Sequence, residues 1–290
     1  MTLLSTRGDA VTRRRPKSKR GVRPLVAGVL AALFAFPVVW TVIGSFKPFA
    51  EANASPPAWW PSELSFESYE KLGGSSGSLW LYVTNSLMVT LMTVAITTVV
   101  ATLGGYAFAR FRFPGKGALF GLTVGMLLVP YPALLVSLFT VMIWFGLTNS
   151  LFGLALIYST FQMPFAIYMM KNSFESIPGE IIEASEIDGC SPINALYRLL
   201  LPLVAPGMVT VALFAFLAGW NEFIAALVLL NDNAMFTLPI ALVNAQSGPL
   251  NTIDWGALQA GITITMMPCI VLFIALQKYY VSGLIAGAGK

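Results

Sequence analysis

Side chains able to do chemistry are scarce in this sequence and fall in two places. The first is Glu222, a carboxylate inside a long apolar segment, with Phe216, Trp220, Asn221 and Phe223 beside it. An ionisable group at membrane depth costs on the order of 3 kcal/mol unless it faces a cavity or a partner, so Glu222 marks either a pathway lining or an interhelical hydrogen bond. Helical spacing sets Phe216, Trp220 and Phe223 on one side. There their ring faces could meet the C–H surface of a sugar while Asn221 and Glu222 bind hydroxyls; packing between helices uses the same stripe. The second place is a polar island at residues 176–207, holding Glu180, Glu183, Glu186 and Asp188 of the chain's thirteen carboxylates. Set between two apolar segments, it suits contact with something outside the membrane.

Much chemistry is excluded. The sequence has no histidine, which removes imidazole metal sites, Ser/His/Asp triads and histidine proton relays together. No Gly-x-x-x-x-Gly-Lys-Ser/Thr phosphate loop occurs, so ATP hydrolysis is not expected of this chain. Cys190 lies in the polar island and Cys269 in the last apolar segment, and both read as free thiols.

The elements that must position these groups are membrane spans. Of 290 residues 57% are hydrophobic and 10% charged, against roughly 25% charged in a soluble domain. Apolar runs long enough to cross a bilayer are expected at residues 24–46, with a kink at Pro37, and at 80–109, 118–143, 151–170, 203–230 and 257–280. Pro130-Tyr131-Pro132 breaks the third span. Carbonyls freed at that depth must face protein or a water-filled cavity, which adds Tyr131 to the pathway candidates; a kink that serves packing alone is the other reading. The second span is rich in Thr, Gly and Ala, residues that favour helix contact in lipid. The organisation expected is all-α: a basic tail at 1–23, a six-helix transmembrane domain at 24–281 and a glycine-rich tail at 282–290.

Charge sets the orientation. Eight of the seventeen Lys and Arg lie in the first 23 residues, where a tail facing lipid is expected rather than one that binds nucleic acid. Six spans put both termini on one side, and a cytoplasmic assignment leaves only Lys47 and Lys71 outside. The polar island then faces the cytoplasm, and the loop at 47–79, with Glu51, Glu63, Glu67, Glu70 and the belt residues Trp59 and Trp60, faces out.

Within the island, local signals specify a helix, a stop and a second helix. Pro178 suits a first turn, residues 179–187 follow with acidic residues near the positive end of the dipole, and Gly189 supplies a left-handed stop. Ser191-Pro192 opens the next helix, and Pro202 and Pro206 mark the return to the membrane. Ile181, Ala184, Ser185 and Asp188 share one side of the first helix, where small residues would let another backbone approach; a connector lying on lipid headgroups is the plainer reading.

The order Glu183-Ala184-Ser185, Asp188-Gly189, Leu201-Pro202 resembles the EAA loop of permease subunits of binding-protein-dependent ABC importers. Ser185 stands where that family usually has a second Ala, and Cys190 where a small residue is usual. The turn Arg110-Phe111-Arg112-Phe113-Pro114-Gly115-Lys116, the Trp220-Asn221-Glu222-Phe223 cluster and the ending Gly283-Leu284-Ile285-Ala286-Gly287 are similar to the carbohydrate group, and to its maltose-type second permease. The resemblance implies a type I importer permease of six helices whose EAA loop is a coupling helix seated in a cytoplasmic ATPase. It also implies a tail (Gly283, Leu284, Gly287) that reaches between two ATPase subunits. The implied partners are a second permease, two ATPase subunits holding ATP and magnesium, and an extracellular solute-binding protein, with no cofactor on this chain. No Lys or Arg falls in the membrane interior, which favours a neutral solute. The alternatives are a permease for another solute, such as glycerol phosphate or a polyamine, and a secondary transporter.

Overall fold

In the computed structural model, residues 22–56, 58–74, 79–245 and 253–288 are described. Every regular element among them is helical: α1 (Val22–Ser45), α2 (Phe49–Ala52), α3 (Glu67–Gly74), α4 (Leu79–Arg110), α5 (Lys116–Gly125), α6 (Tyr131–Trp144), α7 (Leu151–Glu175), α8 (Gly179–Ile187), α9 (Pro192–Ala195), α10 (Leu201–Asn221), α11 (Ile224–Leu229), α12 (Leu238–Ala245) and α13 (Trp255–Ala288), with short 3-10 and π turns between some of them. Five helical stretches are long and apolar enough to cross a membrane. The α5–α6 pair, bent by 109° at Val129–Pro130, makes a sixth if it is one span.

The centre is α4 against α7 and α10. Gly105 lets α4 and α7 touch: a Cβ there would stand 2.5 Å from the Met170 Cβ and 2.8 Å from the Lys171 nitrogen. Close backbone approach of this kind gives helices in lipid the packing that a hydrophobic driving force cannot supply. Around this axis lie three buried clusters: one where α6, α7 and α11 meet, one joining α4 and α10 to α12 and α13, and one at the loop end around Met170, Phe174, Leu196 and Val204. By contrast α1 runs unbroken through Pro37 with its flanks exposed, from Leu25 to Val39.

At the end remote from α8, the α2–α3 excursion clamps the head of α13. Lys71 pairs with the buried Asp254, whose Oδ1 also accepts from the Ala257 nitrogen at 3.1 Å, while Asn53 Oδ1 accepts from the Trp255 nitrogen at 3.0 Å. Burial pushes the Asp254 carboxyl up, but these donors outweigh it and hold the group below its ordinary value. On the same end Asn149, in a left-handed turn at φ 53°, accepts from the Asn231 and Asp232 nitrogens and ties the 146–150 turn to the end of α11.

The chain from Ile193 to Asn221 is one continuous helical stretch of 29 residues, so the return to the membrane marked by Pro202 and Pro206 runs straight on from the second loop helix. A proline ring clashes with the carbonyl four residues back; the π turn at Leu196–Leu200 widens the helix just before Pro202 and absorbs the conflict. The fifth span, expected unbroken over 203–230, instead stops at Asn221, where Glu222 turns extended (φ −72°, ψ 134°) before α11 begins.

Candidate functional site

Two places answer to the candidates, and the first is the loop helix α8. It occupies Gly179–Ile187, with Glu180 in its first turn. Gly189 adopts φ 76°, and the Cys190 nitrogen donates back to the Ser185 carbonyl at 2.9 Å, a Schellman-type closure that a residue with a Cβ would strain. Ser191 Oγ then accepts from the Asn194 nitrogen at 3.3 Å and caps the next helix.

Glu183, Ala184 and Asp188 are exposed. Ser185 is not: it is 4% exposed, turned to the chain's own interior with its Oγ donating to the Ile182 carbonyl at 2.7 Å. The face open to another protein is therefore Glu183, Ala184, Ile187 and Asp188, and Ser185 leaves the set expected on it. Leu201 is half-buried against the core at the loop end and Pro202 is exposed on the first turn of α10, so both belong to the membrane-bound stretch rather than to α8.

The sequence reading missed Ile187, Ile193 and Tyr197, whose relative exposures of 86%, 68% and 60% make an apolar patch beside the acidic groups. The i, i+4 spacing of Glu183 and Ile187 was the available signal. Arg110, read from the sequence only as the start of the basic turn, also caps a helix. The Arg110 guanidinium donates from Nη2 to the Phe174 carbonyl at 2.5 Å and to the Ile177 carbonyl at 3.1 Å, capping the end of α7 just before the loop. Beside it a cavity of ≈ 320 Å³, whose lining includes Tyr106, Phe111, Glu183, Ser185 and Cys190, separates α8 from α4.

The second place is a cavity of ≈ 480 Å³ at the two helix breaks, lined by Tyr131, Tyr158, Phe161, Gln162, Ala218, Asn221, Glu222, Phe223 and Ile224. The Glu222 carboxylate ends α10 and starts α11 at once: Oε1 accepts from the Ala225 nitrogen at 2.8 Å and Oε2 from the Ala226 nitrogen at 3.2 Å. Tyr131 OH donates to Oε1 at 3.2 Å, so the break in α5–α6 is joined to the break in α10–α11 through one side chain. Phe161 packs edge-on to Tyr131 at 5.0 Å between ring centroids.

Of the aromatic candidates, Phe223 and Tyr131 line this cavity; Phe216 and Trp220 do not. Those two stack on each other at 5.8 Å, buried, and Trp220 Nε1 donates to the Thr265 carbonyl of α13 at 2.9 Å. The break at Glu222 takes Phe223 off the helical face that spacing alone assigned it. Tyr158 and Gln162, one turn apart on α7, were not singled out from the sequence because nothing local distinguishes them. The tail candidates Gly283, Leu284 and Gly287 lie in the last turns of α13; their side chains, and residues 1–21, 289 and 290, lie outside the described residues.

The family model for the "Binding-protein-dependent transport system inner membrane component" matches residues 101–285, which include both places. The chain is 34% identical over 269 residues to the diacetylchitobiose uptake system permease protein DasC of Streptomyces coelicolor, covering 92% of this chain and 95% of that one. It is 33% identical over 255 residues to the trehalose transport system permease protein SugB of Mycobacterium tuberculosis, covering 88% and 92%. In fold it is similar to a chain of a bacterial ABC transporter involved in the import of the acidic polysaccharide alginate, at a TM-score of 0.76 and 22% identity, over 89% of this chain and 95% of that one. With six potential spans, an acidic loop helix and matches along nearly its full length, the chain belongs to the inner membrane components of binding-protein-dependent transport systems, the permease subunits of ABC importers.

Proposed function

We propose that this chain forms half of the translocation pathway for a sugar or oligosaccharide, and that α8 is the helix on which an ATPase subunit acts. The observation that carries the substrate class is the ≈ 480 Å³ cavity at the helix breaks. It joins the rings of Tyr131, Phe161 and Phe223 to the carboxamides of Gln162 and Asn221, with no Lys or Arg on its wall. Ring faces suit sugar C–H surfaces and carboxamides suit hydroxyls, while a dianion would want cations that are absent from the wall. The substrates in the names of DasC and SugB point to the same class.

The chain contributes no catalysis. Its partners are a second permease completing the pathway, two cytoplasmic ATPase subunits that hold ATP and magnesium, and an extracellular binding protein that delivers solute. Both termini and α8 face the cytoplasm, the side that the Lys and Arg distribution favours. Closure of the ATPase dimer draws the two loop helices together, and rocking of the packed spans opens the cavity outward.

The test is co-purification of the tagged chain with the ATPase encoded beside it, followed by sugar-stimulated ATP hydrolysis with the cognate binding protein. Wild type forms the complex and couples; Gly189→Pro and Glu183→Lys lose association or coupling. Purification of the chain alone, indifferent to both changes, overturns the reading.

A further inference from the structure

A third cavity lies where the end of α1 meets the head of α13. It measures ≈ 500 Å³, and its wall carries Trp40, Lys47, Asn53, Trp255, Gln259 and Ile262. Lys47 is 3% exposed. Its ammonium donates to the Ala58 carbonyl at 2.6 Å and stands 4.5 Å from the Trp40 ring centroid, and among the described residues no carboxylate lies within ion-pair range. Glu51, whose field reaches Lys47, turns its carboxylate to the Ser62 nitrogen and hydroxyl instead. A buried cation with no carboxylate in contact is costly, and an ammonium carries three donors of which a carbonyl takes one.

The neighbouring groups have the same character. The Gln259 carboxamide lies on this wall, and only a glycine at 44 leaves room for it, since a Cβ there would collide with Oε1. Trp40 and Trp255 are on the wall, and Trp59 packs edge-on to Trp40 at 5.1 Å, a clustering of tryptophans that suits a membrane–water boundary. Leu258 and Ile262 make part of the wall apolar, and α1, which gives Trp40 and Thr41 to that wall, carries exposed apolar side chains in the turns before them, from Phe34 to Val39. A polar pocket whose one cation touches no carboxylate, walled in part by a helix with exposed apolar side chains, has the chemistry of a headgroup and its chains. We propose that this cavity binds an anionic phospholipid, with the phosphate on Lys47 and Gln259 and an acyl chain along α1. A zwitterionic lipid brings its own cation and gains less from Lys47. A free phosphate lacks the acyl chain that the apolar wall would hold.

The full chain is placed in nanodiscs of phosphatidylcholine doped with phosphatidylglycerol, and retained lipid is read by native mass spectrometry. Wild type, and the control Arg112→Gln at an exposed cation of the opposite end, retain one phosphatidylglycerol. Lys47→Gln retains it about tenfold less, as expected for loss of one charged hydrogen bond, and Gln259→Leu loses a smaller part. Should Lys47→Gln fail to fold, wild-type melting decides: dioctanoyl phosphatidylglycerol raises the melting temperature, and glycerol phosphate or inorganic phosphate at equal concentration does not. Equal retention by Lys47→Gln, equal retention of phosphatidylcholine, or a shift reproduced by inorganic phosphate each overturns the proposal. None of these readouts depends on the transport reading.

Discussion

The loop helix α8 and the Glu222 junction are both polar interruptions of apolar helices, yet they are built by opposite means. In α8 the signals are local: an early acid, a left-handed glycine and a serine cap lie within a dozen residues of one another. At Glu222 the break has no proline or glycine in it, and the carboxylate that reaches Ala225 and Ala226 locally is also held from a distance, by a tyrosine 91 positions away. A locally built element keeps its shape when its surroundings move, which suits a surface that must be gripped. A junction made by tertiary contacts changes when its surroundings move, which suits the wall of a pathway that must open.

That contrast can be broken by experiment, and the largest expected effect is at the loop. Gly189→Pro or Glu183→Lys should lower ATPase association by more than about tenfold, the scale of one lost charged contact or one strained turn, and leave the melting temperature of the isolated chain within error. A large fall in melting temperature would mean that α8 holds the fold instead of standing apart from it.

The junction should show the reverse. Glu222→Ala removes an acceptor from two backbone nitrogens and one hydroxyl, a loss of about 2–3 kcal/mol in stability, with ATPase association intact in a pull-down. Tyr131→Phe removes a single hydrogen bond and should cost about 1 kcal/mol; a cost equal to that of Glu222→Ala would show that the cross-link between the two breaks, rather than the capping of α11, carries the junction. Gly105→Ala sharpens the comparison from the packing side. Its new Cβ meets the Met170 Cβ and the Lys171 backbone, and overpacking of this kind costs about 1–3 kcal/mol in thermal melting. Tolerance of the alanine would mean that α4 and α7 can separate freely.

The smallest effect concerns pH at the end remote from the loop. The Asp254 carboxyl is held below its ordinary value by Lys71 and the Ala257 nitrogen, against the push of burial. Its stabilising contribution is therefore present above the ordinary carboxylate range and is lost as the pH falls through the depressed value. Melting should drop on acidification below about pH 4, and Asp254→Asn should flatten that part of the profile. An unchanged slope in Asp254→Asn would assign the acid sensitivity to other carboxylates.

How much could be read from the residues alone follows the same division. The bounds of α8, its glycine stop and the break at Pro130 were legible because proline, glycine and capping serines act on their own few neighbours. The break at Glu222 was not, because Trp220-Asn221-Glu222-Phe223 contains no helix breaker and the tyrosine that meets the carboxylate lies 91 positions away. The π turn before Pro202 could not be read either, because whether one forms ahead of a proline depends on what packs against the helix. The inward turn of Ser185 and the pairing of Trp220 with Thr265 were equally hidden, since the side of a helix that faces the core is set by neighbours far along the chain. The candidate cavity was legible in Asn221, Glu222, Phe223 and Tyr131 and silent in Tyr158 and Gln162.

The unbroken stretch from Ile193 to Asn221 has a mechanical consequence. At about 1.5 Å per residue, 29 residues make a rod roughly 43 Å long. One end carries the exposed Ile193 and Tyr197, and the other ends at the Glu222 junction. Such a rod is a lever arm: a tilt of about 5° at the loop sweeps its far tip by about 4 Å, more than a hydrogen bond can stretch. A displacement too small to unseat anything at one end would thus suffice to part Tyr131 from Glu222 at the other.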